Sequence, residues 1–329
     1  MKYSIIIPVY NRPEETRELL DSLLEQKYNN FEVVIVEDGS TNVCKGVVDQ
    51  YSDQLMVSYF YKENEGPGAA RNYGAEKADG DCLIFFDSDC LIPEDYLEQV
   101  ERELLISPVD AFGGPDAAHP SFTPIQKAIS YSMTSVFTTG GIRGGKKKLA
   151  RFYPRSFNMG IFKAVFQKIG GFNNLRFGED LDFSIRMIRE KYIVQFFRQA
   201  YVYHKRRTNF RQFFKQVFNS GIARINLHKR HKGTLKLVHF LPAAFILISL
   251  LLIGLSFIHF FFLLPLLLFI LLVFFDSVFQ HKSIKVGGLS VIASFIQLFG
   301  YGLGFMNAVG KRILLKQDEF YAYLKNFYN

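Results

Sequence analysis

The 329-residue chain contains no tryptophan and only three cysteines, Cys44, Cys82 and Cys90. None of them forms a Cys-x-x-Cys pair, and an odd count of separated cysteines excludes a disulfide framework. A reducing compartment fits that usage. The apolar start, MKYSIIIPVYN, is too short for a signal peptide and leads directly into a turn, so the front of the chain is expected to stay in the cytosol. Acidic residues are missing from Lys191 to Phe275, while Lys and Arg recur in that stretch as far as Lys236. The formal net charge is +8. No recognisable nucleic-acid reading module carries the basic residues, which argues against nucleic acid as a partner. They lie instead beside apolar spans, the pattern expected of a chain that meets membrane lipids.

What is present divides into two halves. The length suits one large domain or two smaller ones. In the first half, apolar β-branched runs alternate with helical segments. Ser4–Val9, Val33–Val36, Val57–Tyr61 and Leu83–Phe86 read as buried strands. Pro13 followed by Glu14 and Glu15 starts a helix that runs to about Lys27. A second helix is expected over Gly68–Ala78. This alternation predicts an α/β fold with an open, mostly parallel central sheet. Ligands bind such sheets outside the carboxyl ends of the strands. Three polar clusters fall there: Tyr10-Asn11, Glu37-Asp38-Gly39-Ser40 and Asp87-Ser88-Asp89. Each alone reads as an ordinary turn; together, on one edge, they point to a site.

Residues 110–155 are less regular and carry a basic patch, Arg143, Lys146, Lys147, Lys148, Arg151 and Arg155, which reads either as a lid or as a solvated loop. Over residues 209–236, Phe210, Phe213, Phe214, Val217, Phe218, Ile222 and Ile225 recur at helical spacing with Arg211, Lys215 and Arg224 between them. That pattern suits a helix in the membrane interface, or a soluble helix packing its Phe stripe into a core. Residues 237–312 are expected to hold the membrane spans, followed by a tail over 313–329. Leu237–Phe279 is long enough for two spans, interrupted by His259 and Pro265, and Val286–Val309 is a weaker third. Basic residues stand before the first span, between the second and third (Lys282, Lys285) and after the third (Lys311, Arg312, Lys316). The positive-inside rule puts all three groups in the cytosol, which three full crossings forbid. The third segment is therefore re-entrant or interfacial, or the rule is broken at the end. The reading is of a multi-pass protein of the cytoplasmic membrane with its first domain, 1–208, in the cytosol.

The chemistry is concentrated in three segments. Asp87-Ser88-Asp89 places two carboxylates just after a buried strand, a set of oxygen ligands suited to Mg2+ or Mn2+. Such a cation makes a departing nucleoside diphosphate a better leaving group. Asn64-Glu65-Gly66-Pro67-Gly68-Ala69-Ala70-Arg71-Asn72 leads glycines into a helix, allowing close approach to phosphate, with Arg71 adding a fork of donors. It is no dinucleotide fingerprint, since Arg71 stands where GxGxxG requires glycine. Phe177-Gly178-Glu179-Asp180-Leu181-Asp182 gathers carboxylates before a helix expected over Phe183–Arg189. They serve either as capping groups or as a general base for an attacking hydroxyl.

SIIIPVYNR, VVIVEDGST, NEGPGAARNYGAEKADGD, FFDSD and GEDLDF, in this order and spacing, resemble the inverting family 2 glycosyltransferases of the GT-A fold. The likeness covers roughly residues 3–205. It implies that Pro8, Tyr10 and Asp38 frame the nucleotide base, with Arg71 by the nucleotide and Asp87, beside Ser88, near the ribose. It implies that Asp89 binds the divalent metal and that Asp180 is the general base, with Glu179 and Asp182 supporting it. His204, after the strand-like VYH, matches a place where some members put a histidine near the diphosphate or metal. Glu37 stands where the family often has a first aspartate. Processive synthases of the family carry QxxRW after the base. Here Gln216 is followed by Val-Phe-Asn and tryptophan is absent, which favours transfer of a single sugar. The expected donor is a UDP- or GDP-sugar, and the expected acceptor a lipid-linked or glycan molecule of the cell surface. Transfer to a polyprenyl phosphate, and non-catalytic binding of a nucleotide sugar, are the competing readings.

Overall fold

A computed structural model of the chain describes residues 1–139 and 152–323. Most of the basic patch, Arg143 to Arg151, lies outside the described residues. The chain divides into two compact units, one of Met1–His119 with Arg151–Lys205 and one of Pro120–Ala150 with Arg206–Asn329. The unit boundary thus differs from 1–208, because the described residues 120–139 belong with the C-terminal helices.

In chain order the first unit opens with β1 (Tyr3–Val9), α1 (Pro13–Leu24), β2 (Phe31–Asp38), α2 (Lys45–Val48), β3 (Val57–Lys62), α3 (Pro67–Lys77), β4 (Cys82–Phe86), β5 (Cys90–Leu91), α4 (Tyr96–Ile106), β6 (Ala111–Gly113) and β7 (Asp116–Ala117). Two helices of the second unit follow, α5 (Pro124–Thr134) and α6 (Val136–Thr139). The first unit then resumes with β8 (Asn158–Phe162), α7 (Lys163–Ile169), α8 (Glu179–Arg189), β9 (Val194–Phe196) and β10 (Val202–His204). The expected strands are β1 to β4, each longer at one or both ends. Helix α1 stops at Leu24, short of Lys27. Helix α8 starts at Glu179, earlier than Phe183, because Gly178 adopts φ 83° as its N-cap and places three acids in the first turn.

The main sheet runs β3-β2-β1-β4-β8-β6-β9. Its first four strands are parallel, β8 is antiparallel to β4 and β6, and β9 is parallel to β6. This is the mixed, mostly parallel α/β sheet that the alternation predicted. Strands β1, β2 and β4 are buried along nearly their whole length, as expected of a sheet covered on both faces. One core cluster joins Ile5, Ile7, Leu20, Val33 and Ile84 on one face, and a second joins Ile6, Val34, Phe85, Met159 and Phe183 on the other. A small second sheet, β5-β10-β7, sits beside the main one.

The second unit continues with α9 (Phe210–Arg230), α10 (Leu241–Ser256), α11 (Leu264–His281) and α12 (Ile284–Ala308). The apolar stripe of α9 is covered by protein, with Phe213 and Val217 packed among residues of α5 and α12, and Ile222 and Ile225 against Phe305 and Ala308. Among the described residues two helices are long and apolar enough to cross a membrane, Phe260–His281 and Ile284–Leu314. The expectation of two confident spans before a weaker third is corrected at its first member. Helix α10 has 16 residues, a rise of about 24 Å against a hydrocarbon core of about 30 Å. Its shortness has a local cause: the His259 side chain accepts a hydrogen bond from Phe261 N and starts a new turn, and Pro265 then opens α11.

Close packing at β8 supplies a test of this fold. A Cβ on Gly160 would lie 2.0 Å from the Phe112 ring, which stacks on Phe197 at 4.7 Å. Gly160→Ala is expected to destabilise the first unit by about 1–3 kcal/mol, the usual cost of overpacking a core, read as a lowered thermal midpoint.

Candidate active site

Parallel pairing sets Val9 beside Glu37 and Ile6 beside Phe85, so the chain leaves β1, β2 and β4 on one edge. The three polar clusters therefore converge there. Asn11, at φ 54°, accepts through Oδ1 from the backbone N–H groups of Thr41 and Asn42 at 2.9 and 2.8 Å, stitching the first two loops together. Tyr10 is exposed on this edge, Pro8 half-buried and Ser88 buried.

Glu37 and Asp38 have structural partners. Glu37 is fully buried and accepts from Ser40 Oγ, from Cys44 N at 2.7 Å and from Tyr59 Oη at 3.2 Å. Asp38 accepts from Gly66 N at 2.9 Å and Glu65 N at 3.0 Å, and pairs with Lys62 at 3.3 Å. It thereby pins the glycine-rich turn that opens α3, where Gly66 takes φ 100°.

The centre of the site is Arg71. Helix α3 buries it to 3% exposure, with NH2 donating to Asp87 Oδ1 at 2.6 Å and NH1 to Glu179 Oε1 at 3.0 Å. Its guanidinium also lies 5.7 Å from the Phe172 ring centre. One side chain thus joins the turn after β4 to the first turn of α8. A lysine, carrying a single ammonium group, could not span the two carboxylates with the same fork. Asp180 has a cation of its own: Arg155 Nε donates to Oδ2 at 2.5 Å, and Leu181 N donates to Oδ1 at 2.7 Å. Asp182 turns away from this group, accepting from Arg186 Nε at 3.0 Å and Asn173 Nδ2 at 2.8 Å.

Burial and charge move the adjacent carboxyls apart. Burial, aided by the neighbouring Asp180 charge, pushes Glu179 up to about 7. Burial would raise Asp180 as well, but the Arg155 guanidinium overrides it and holds this carboxyl below its ordinary range. Near neutral pH Asp180 is therefore the ionised member.

Antiparallel pairing of β10 with β5 sets His204 opposite Cys90, which brings its Nε2 to 3.1 Å from Asp89 Oδ1 and 3.8 Å from Asp87 Oδ2. The imidazole stacks on Phe157 at 4.8 Å. Arg12 pairs with the other oxygen of Asp89. One ligand atom from each of Asp89, Cys90 and His204 lies within 4.8 Å of the others. The Cys90 thiol donates to Phe157 O at 3.7 Å, which leaves the Asp89 carboxylate and the His204 imidazole as donors. A carboxylate oxygen and an imidazole nitrogen are groups that could hold a divalent cation.

Arg12 and Arg155 were not singled out as site residues from sequence. Arg12 stood in the SIIIPVYNR motif with no role assigned to it. Arg155 stood at the end of a basic run, and its place just before the buried strand β8 was the one sign that it differs from a solvated lysine.

Residues 4–170, half of the chain, match glycosyl transferase family 2. An uncharacterized glycosyltransferase from Haemophilus influenzae is 34% identical over 196 residues, covering 57% of this chain and 62% of that protein. Another, from Rickettsia bellii, is 42% identical over 97 residues, covering 30% of this chain but 14% of that protein. The chain thus spans less than two thirds of each. Among solved structures, a mannosyltransferase from Pyrobaculum calidifontis in complex with GDP-Man and Mn2+ aligns with TM-score 0.65 at 16% identity, covering 90% of this chain and 86% of that one. That likeness is one of fold, and it is the GT-A fold expected from the motifs.

Removing Arg71 would leave Asp87 and Glu179 facing each other without a cation. Arg71→Met is expected to cost about 3–5 kcal/mol of folding stability, the range for breaking a buried ion pair from one side. Chemical denaturation of the purified variant measures it.

Proposed function

The chain belongs to glycosyl transferase family 2, and from that premise we propose that it transfers a single sugar, with inversion, from a nucleotide diphosphate sugar to a lipid-linked or glycan acceptor in cell-surface glycan synthesis. The observation that carries this reading is the buried network in which Arg71 ties Asp87 to Glu179, next to an ionised Asp180. It sets a metal-and-phosphate edge and a candidate base in one rigid group. The GDP-Man and Mn2+ in the structural neighbour support a nucleotide-sugar donor and a divalent cation; UDP- and GDP-sugars both remain candidates.

In this reading the acceptor hydroxyl approaches Asp180, whose carboxylate takes the proton as the oxygen attacks the anomeric carbon. The nucleoside diphosphate leaves from the opposite face of the sugar. A cation, Mg2+ or Mn2+, held by Asp89 with His204, would neutralise the charge gathering on that leaving group. Tyr10 and Pro8 line the edge where the base would lie, with Ser88 between the two aspartates. Asp38 acts through the glycine-rich turn it pins. Arg155 orients Asp180 and sets its charge.

We further propose that the C-terminal helices hold the protein at the cytoplasmic membrane, with the first unit in the cytosol. Two helices of sufficient length and apolarity support membrane association. An enzyme confined to the bilayer surface meets a lipid-linked acceptor by diffusion in two dimensions. The low proton affinity of Asp180 also suits a second reading, transfer to a polyprenyl phosphate, whose oxygen is already ionised and needs no base.

A donor screen in detergent, read as released nucleoside diphosphate, identifies the substrate. With that donor, Asp180→Asn is expected to lower turnover by about 10²–10⁴-fold, the contribution of a general base, while donor binding persists. Wild-type turnover in this variant overturns the base assignment and favours the phosphate acceptor. Where Asp180 titrates, Glu179 already holds its proton, so Glu179→Gln is expected to leave the acid limb of the kcat/KM profile in place. A limb that moves contradicts the separation of the two carboxyls.

A further inference from the structure

Helix α12 is long enough to cross a membrane, yet one face of it is covered by helices that carry charge. Leu289, Ala293 and Ile296 pack with Ala128, Ile129 and Met133 of α5 and with Phe213 and Val217 of α9. Further along, Gly300 and Gly304 let α9 approach so closely that a Cβ on Gly304 would lie 2.0 Å from Phe218 O. Phe305 and Ala308 then meet Ile222 and Ile225, and Arg312 donates to Asn226 Oδ1 at 2.9 Å. Positions 289, 293, 296, 300, 304, 308 and 312 form one stripe at helical spacing. Helix α9 therefore runs beside α12 in the same direction from Ala293 to Arg312, and it carries Arg211, Lys215, Arg224, Lys229 and Arg230.

The opposite face of α12 carries α10 and α11, which meet it at different places. Pro242 and Ile246 of α10 lie against Gly302, and Phe240, just before α10, against Phe305. Phe274 and Val278 of α11 lie against Gly287, and Ser277 donates to Ser290 at 2.7 Å. Between them, Phe245 and Phe269 meet over Phe295. The joining segment is free of this packing: Phe257 is 88% exposed, Ile258 78% and Phe260 65%. In the most apolar stretch of α11 11% of residues are buried, against 44% in α12.

The polar ends sit together. Arg230, just before the hairpin, pairs with Glu319 at 2.8 Å. Asn226 and Asn219 of α9 donate to Phe320 O at 3.2 Å and Tyr323 O at 3.1 Å. At the other end of α12, Tyr131 of α5 donates to Asp276 at 2.6 Å and its ring meets His281.

We propose that α12 lies in the membrane–water interface, and that only the α10–α11 hairpin enters the hydrocarbon and returns. Carrying α12 across the bilayer would drag the charged α9 in with it, and charged side chains in hydrocarbon are costly. In the interface, α12 instead rests one face on α5 and α9 and supports the apolar hairpin on the other. The partner is a bilayer with anionic head groups, complementary to Lys282, Lys285, Lys311 and Lys316. The arrangement also resolves the charge pattern of the sequence, since all three basic groups then share one side.

This inference rests on the membrane reading, and the test separates the two. Lys285→Cys and Lys316→Cys variants, made in the full chain whose three cysteines are buried, are treated with a membrane-impermeant maleimide in inside-out and right-side-out vesicles. Detergent-opened vesicles supply the total reactivity of each site. Both positions are expected to label in the inside-out vesicles and to be protected in the others. Labelling of Lys285→Cys from the face opposite to Lys316→Cys overturns the proposal. Release of the protein from the membranes by alkaline carbonate overturns the membrane reading itself.

Discussion

The Arg71 guanidinium is shared by carboxylates from two parts of the chain, Asp87 after β4 and Glu179 at the start of α8, the latter 108 residues away in sequence. Nearly every other feature of the site depends on that sharing. It brings α8 against the edge of the sheet and ties its first turn to the turn after β4. It gives Glu179 and Asp87 one shared cation. Arg155 does for Asp180 what Arg71 does for Asp87 and Glu179, and the division of labour separates the adjacent acids: Glu179 retains its proton up to about 7 while Asp180 is ionised. Two carboxyls with opposed proton affinities are what acid–base chemistry at neutral pH requires.

The edge of the parallel sheet was legible in sequence because it depends on local signals. Runs such as Ile5-Ile6-Ile7 and Val33-Val34-Ile35 read as buried strands, and a polar cluster at the end of each fixes where a ligand can approach. The family likeness implied Asp89 on the metal and His204 near the diphosphate or metal, and the antiparallel register of β5 and β10 accounts for the contact of the two side chains. What the sequence hid was charge pairing over long separation. Nothing local marks what Arg12 and Arg155 pair with, and their partners are 77 and 25 residues away. Also hidden was that the Asp38 carboxylate accepts from the N–H groups of Glu65 and Gly66, across 27 and 28 residues.

The helical unit shows the same limit in another form. Hydropathy counts apolar residues and does not see what covers them. Leu237–Phe279 looked like two spans, but His259 and Pro265 break it so that its first helix is short. Val286–Val309 looked weaker and is rich in glycine, yet Gly300 and Gly304 are there to admit α9, and Ser290 to meet Ser277. Small residues lower the hydropathy of a helix and raise the closeness of its packing.

The central claim is that this network forms a site for a nucleotide sugar and a divalent cation. Titration calorimetry of the purified full chain in detergent with UDP- and GDP-sugars, with and without Mn2+, tests it most directly. The account predicts that at least one donor binds and that Mn2+ strengthens the binding. Absence of binding by any donor in either condition would contradict it and leave a protein that keeps the fold without the activity.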